Sequence, residues 1–211
     1  SPDGKLLASA CGFSGRIEHT IKIWDVDKGR IKQRRPLTKE ILEEKTVWSV
    51  CFSPDDRLLA SAGSDGYGNN TVRLWNLTTG KHRILADISG NAVKIAFGPD
   101  GKTLAASNFN EIQLFDVASG VAMKKITSKN ETTIRTFAFS PDGKVLVSAG
   151  NDRKICFWDA VSGATIRTIA GHKSTINSIA FSPDGKMLAS GGDNGKVKVW
   201  NVQSGQLLKT F

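Results

Sequence analysis

The sequence predicts an all-β protein built from stacked four-stranded antiparallel sheets, and three observations lead there. One tract recurs five times in phase. Each recurrence is followed by an aromatic residue joined to Asp or Asn. The residues between read as short apolar strands separated by turn chemistry, with no helical period over a useful length.

The tract SPDGKLLASA begins at Ser1 and returns as SPDDRLLASAG from Ser53 and GPDGKTLAAS from Gly98. It appears again as SPDGKVLVSAG from Ser140 and SPDGKMLASGG from Ser182, so the spacings are 52, 45, 42 and 42 residues. The paired residues are Trp24-Asp25, Trp75-Asn76, Phe115-Asp116, Trp158-Asp159 and Trp200-Asn201.

The last repeat shows the reading of each unit. Thr175 to Phe181 is an apolar-rich first strand, and Pro183-Asp184-Gly185 turns the chain because proline fixes φ and glycine accepts φ > 0. Lys186 to Gly191 is the second strand, and Asp193-Asn194-Gly195 is a hairpin turn. Lys196 to Val202 is the third strand and, after Ser204-Gly205, Gln206 to Phe211 is the fourth. The one helix-like stretch, Leu37 to Lys45, reads as a loop or a single turn.

These motifs, in this order and at this period, resemble the WD-repeat β-propeller family, and the resemblance covers the whole chain. It implies blades at about 1–36, 44–86, 90–127, 131–170 and 174–211, forming a single partial propeller domain over 1–211. One four-stranded sheet cannot bury both faces alone, so blades must stack on one another. In the family the SPDG turn lies between the first and second strands. The first blade is therefore expected to lack its inner strand, and the chain to be part of something longer. Against the family's usual seven blades it would be an open arc. The resemblance is to near-consensus repeats of bacterial multi-domain WD-repeat proteins, where propellers accompany kinase or nucleotide-triphosphatase domains.

The resemblance also implies a structural tetrad of His, Ser/Thr, Asp and Trp within a blade. The fifth repeat offers His172, Ser190 and Trp200, with Asn194 where the family carries Asp. The fourth has Ser148, Asp152 and Trp158 but no histidine, and the third has Phe115 in place of Trp. His172 is accordingly expected to be structural.

No catalytic constellation emerges. His19, His82 and His172 fall at unrelated repeat positions, the aspartates are turn formers, and no phosphate-cradling GxxxxGK[ST] loop occurs. Cys11, Cys51 and Cys156 lack metal spacing and do not make a disulfide framework. No metal, no cofactor and no small-molecule substrate are expected. The cysteine pattern points to a reducing, cytoplasmic setting, and no apolar run approaches the roughly 18 residues of a membrane span.

The expected function is non-catalytic binding of a protein or peptide. Repeats one and two carry longer stretches between second and third strands, around Gly12 to Thr20 and Ser64 to Thr71, which bring Phe13 and Tyr67. Four residues before the Phe of each first strand stand Trp48, Val93, Arg135 and Asn177. Family geometry puts this position near a channel mouth, and Trp and Arg often dominate interface energetics. Trp48, Arg135, Asn177, Tyr67 and Phe13 are thus the partner-binding candidates. The alternative is nucleic-acid binding through basic residues, given a net charge of +9, although these are scattered along the repeats.

Overall fold

Alternating small and large apolar residues on short strands make sheets whose two faces bury different kinds of side chain. The computed structural model describes residues 1–10, 21–26, 30–31, 46–64, 69–89, 92–128 and 132–211. All regular structure among them is β-strand.

The first sheet holds β1 (Leu6–Ala10), β2 (Ile21–Asp25) and β3 (Arg30–Ile31), in that order. The second holds β4 (Thr46–Phe52), β5 (Leu58–Ser64), β6 (Asn69–Asn76) and β7 (His82–Ser89). The third holds β8 (Ala92–Phe97), β9 (Thr103–Asn108), β10 (Glu111–Asp116) and β11 (Ala122–Thr127). The fourth holds β12 (Ile134–Phe139), β13 (Val145–Gly150), β14 (Lys154–Asp159) and β15 (Thr165–Ala170). The fifth holds β16 (Ile176–Phe181), β17 (Met187–Gly192), β18 (Val197–Asn201) and β19 (Leu207–Thr210). Among the described residues the first sheet has three strands and the others four each.

Backbone proximity groups the chain into two compact units. One comprises Ser1–Asn108 with Phe115–Val121; the other comprises Phe109–Leu114 with Ala122–Phe211. In the first unit, one face of the second sheet presents Ala60, Ala62, Val72 and Leu74 to Ile95, Leu104, Ala106 and Phe115. Its other face presents Leu59 and Trp75 to Ile21 of the first sheet. In the second unit, Val147, Ala149, Ile155 and Phe157 meet Ile176, Ile179, Leu188 and Trp200. The period-2 alternation of the strands sorts small residues to one face and the tryptophan to the other.

The turn between first and second strands is fastened by its own side chains. Ser53, Ser140 and Ser182 each donate to the Asp two residues on at 2.6 Å, and that Asp accepts a backbone N–H beyond it. These bonds hold the carboxyls of Asp55, Asp142 and Asp184 below the usual carboxylate range, with the serine hydroxyl as the largest cause. Gly143 and Gly185 take φ of 72° and 69° there, and in the second copy Asp56 adopts 58° in the same place.

Two sequence expectations are revised or left outside. Both ends of the expected loop Ser64 to Thr71 are ladder: Ser64 pairs with Asn70, Gly63 with Thr71, and Asn69 with Ser89. The extra residues lengthen the second sheet, leaving 65–68 between its strands. Phe13, Tyr67, His19, Cys11 and the stretch Leu37 to Lys45 lie outside the described residues.

Candidate interaction surface and the bonds that support it

In each four-stranded sheet the first strand carries one residue too many for its partner. The register shifts between Val47 and Ser49, Ala92 and Lys94, Ile134 and Thr136, and Ile176 and Ser178. The skipped residues are Trp48, Val93, Arg135 and Asn177, the four variable positions of the sequence. A β-bulge leaves its extra residue unpaired and re-aims the side chain out of the pleat. Trp48 is 45% exposed, a large value for tryptophan in a sheet, and Arg135 and Asn177 are exposed as well.

A close backbone approach accompanies the bulge in the fourth sheet. A Cβ built on Gly150 would lie 2.0 Å from the Thr133 carbonyl oxygen, so only glycine lets the two chains approach there. Asn151 N–H then donates to that carbonyl at 3.0 Å, and Asp193 N–H donates to Thr175 in the fifth sheet at 3.0 Å.

In the second unit the bulge side chains are themselves tied down. Arg135 Nε donates to Asn151 Oδ1 at 3.0 Å, and Asn177 Nδ2 donates to Asp193 Oδ1. Both pairs span 16 residues and join a first-strand bulge to the turn after the second strand. Asn151 and Asp193 were not singled out from the sequence. Their signal was available, as an Asn or Asp recurring 16 residues after the variable position.

The tetrad residues come together in part. Ser190 Oγ lies 2.8 Å from His172 Nε2 and accepts the indole N–H of Trp200 at 2.8 Å. Among the described residues His172 Nδ1 is buried without a hydrogen-bond partner, while Asn194 Oδ1 accepts from Lys196 N–H at 3.3 Å within its own turn. Burial, followed by the Lys198 ammonium, holds the His172 pKa below its ordinary value, with Ser190 and Asn194 acting in the opposite sense. His172 therefore stays neutral and packs as core. His82 lies against the Trp75 ring, centroids 4.4 Å apart.

Several basic side chains are engaged inside the fold. Arg83 donates to the carbonyls of Val117 and Ala118. Arg167 donates to the Gln203 carbonyl at 2.7 Å and lies over the Phe157 ring. Lys198 donates to the Gly171 carbonyl at 2.8 Å. Burial pushes the Cys51 thiol up to about 12, which leaves it protonated and unreactive.

The serine-to-indole bond recurs as Ser9–Trp24, Ser61–Trp75, Ser148–Trp158 and Ser190–Trp200. The family described as "WD domain, G-beta repeat" matches residues 37–76, 122–159 and 163–201, together more than half of the chain, and each match ends on the Trp-Asp or Trp-Asn pair. The chain belongs to the WD-repeat family. The WD-repeat relatives include the rice small ribosomal subunit protein RACK1y, 28% identical over 54% of this chain and 31% of the relative. Another is THO complex subunit 3 of Arabidopsis thaliana, 28% identical over 49% of this chain and 32% of the relative. The human apoptotic protease-activating factor 1 is 36% identical over 49% of this chain and 8% of its own length. The chain aligns with about a third or less of each of these WD-repeat proteins.

Proposed function

We propose that this chain is a non-catalytic protein- or peptide-binding module of a larger, signalling-related protein, and that it binds through the first-strand bulges. WD-repeat proteins are generally non-catalytic scaffolds that engage protein partners, and the relatives have varied roles. The observation that carries the reading is the coincidence of variability with geometry. Four positions that differ in chemistry between otherwise regular repeats, Trp48, Val93, Arg135 and Asn177, are the four that the bulges remove from the ladder. The exposed side chains of Trp48, Arg135 and Asn177 on rigid sheets suit recognition. Phe13 and Tyr67 are assigned to the same role on sequence grounds.

A photoreactive phenylalanine analogue placed at position 48 or 177 tests this. Discrete cross-linked proteins are expected from cells at both positions, and none from Lys186 at the opposite, SPDG-turn end of the sheets. Equal cross-linking at all three would refute the surface. The nucleic-acid alternative draws on the net charge of +9, which is scattered along the repeats. It predicts affinity for mixed DNA or RNA that collapses steeply with salt.

A further inference from the structure

We propose that the sheet end carrying Arg135 and Asn177 takes an acidic segment of a partner protein, with the Arg135 guanidinium pairing with a Glu or Asp carboxylate. This rests on the binding-module reading and names the chemistry of its partner.

The first support is the preorganisation of Arg135. Its backbone is fixed in a bulge, its Nε is held by Asn151 at 3.0 Å, and the side chain is exposed. Among the described residues the guanidinium has no other hydrogen bond or ion pair. Anchoring Nε leaves the two terminal amino groups as an outward fork, the geometry that receives a carboxylate through two parallel bonds. Little rotamer entropy remains to be lost on binding.

The second support is the neighbour. Strand β16 packs beside β12, and its bulge residue Asn177 is held by Asp193 in the same way. The Asn177 amide oxygen takes no hydrogen bond among the described residues, so it can accept a backbone N–H from the same bound segment.

The third support is charge. The Arg153 carbonyl accepts the N–H groups of Gly171 and His172, drawing the turn after β13 to the segment before β16. That contact brings the segments of Arg153 and Lys173 to the same end as Arg135. Among the described residues two carboxylates, Asp152 and Asp193, lie at this end against the three cations Arg135, Arg153 and Lys173, a local excess of one positive charge that favours an anion.

A peptide fits better than a nucleic-acid backbone because Asn177 offers its amide oxygen to a backbone N–H, a donor that a phosphodiester backbone lacks.

The test is an NMR titration of the isotope-labelled 211-residue chain. The probes are the capped peptide Gly-Glu-Gly-Glu-Gly, its glutamine counterpart and a single-stranded oligothymidylate. The glutamate peptide is expected to shift the Arg135 Nε–H signal and the backbone amides of Arg135 and Asn177, and the glutamine peptide to leave them in place. Arg135→Gln should weaken that binding by about tenfold, and Arg135→Lys, which keeps the charge without the fork, by less. Unchanged spectra elsewhere establish that both variants fold. Equal shifts from the glutamine peptide, or affinity indifferent to Arg135→Gln, overturn the acidic partner. Tighter oligothymidylate binding at the same signals reassigns the site to nucleic acid and also overturns it. If cross-linking at positions 48 and 177 succeeds while this titration fails, the module reading stands and only the acidic chemistry falls.

Discussion

Ala106 and Phe115 lie together in the core at the place where every other described sheet joins a serine hydroxyl to an indole N–H. Both are buried, and they share one cluster with Leu104 and Ile95. The third sheet has lost donor and acceptor at once, so neither is left buried and unsatisfied. That is why the substitution is tolerable: removing both partners is nearly neutral, whereas removing one costs about 1–3 kcal/mol. A double-mutant cycle on Ala106→Ser and Phe115→Trp should therefore show a favourable coupling of about 1 kcal/mol or more. Denaturant melts of the four proteins measure it. Strictly additive losses would mean that the sheet spacing, and not the hydrogen bond, sets the pair.

Ser190 serves two groups and Ser148 serves one. Ser190 Oγ contacts both His172 and the Trp200 indole at 2.8 Å, while Ser148 accepts only Trp158. Ser190→Ala leaves two buried polar groups without a partner and Ser148→Ala leaves one. The first should lose about 1–3 kcal/mol more than the second. Urea midpoints at constant slope decide it, and equal losses would show that the His172 contact contributes nothing.

The period, the strand order and most strand ends were legible because each depends on local chemistry. Pro-Asp-Gly turns and Trp-Asp pairs act within a few residues, and the fifth sheet's strands lie within about two residues of where turn chemistry put them. The bulges were not legible. Two backbones meet at Gly150 and Thr133 in the fourth sheet, but the third sheet bulges with Asn108 at the matching place, so no composition signal announces which residue of a strand is skipped. Ser64 to Thr71 read as a loop because Gly, Asn and Asp dominate it. Pairing on both sides of Asn70 and Thr71 overrode that preference. The variable positions stand out between the repeats themselves, whereas the bracing of Arg135 by Asn151 and of Asn177 by Asp193 exists only once the strands pair.

The neutral state of His172 makes stability depend on pH. Its folded pKa lies below the ordinary value of 6.5, first through burial and then through Lys198. The unfolded chain therefore binds a proton more readily than the folded one, and stability rises with pH across that interval. The contribution is complete above about 6.5 and is lost as pH falls from there towards the folded value. The turn aspartates titrate at lower pH, below the usual carboxylate range. Urea midpoints should fall between pH ~7.5 and ~5.5 in the natural protein and fall less in His172→Gln. An identical fall in both would remove His172 as the cause.

Trp48 separates the core role of tryptophan from an interface role within one sheet. Trp75 is 1% exposed and bonded to Ser61, whereas Trp48 is 45% exposed and displaced from the ladder by its bulge. Truncating the buried ring should cost about 3–5 kcal/mol of stability, since its cavity cannot be filled by neighbours fixed in strands. Truncating the exposed one should change stability by no more than about 0.5 kcal/mol, because little apolar surface returns to water. A protein captured by cross-linking at position 48 should nonetheless bind Trp48→Ala more weakly by about 2 kcal/mol, as expected of an aromatic anchor at the centre of an interface. Calorimetric titration gives the affinity, and denaturant melts of Trp48→Ala and Trp75→Ala give the stabilities. Should Trp48→Ala melt like a core variant, the ring packs inward in solution. Should it melt normally and bind normally, the bulge positions are not where this protein meets its partner.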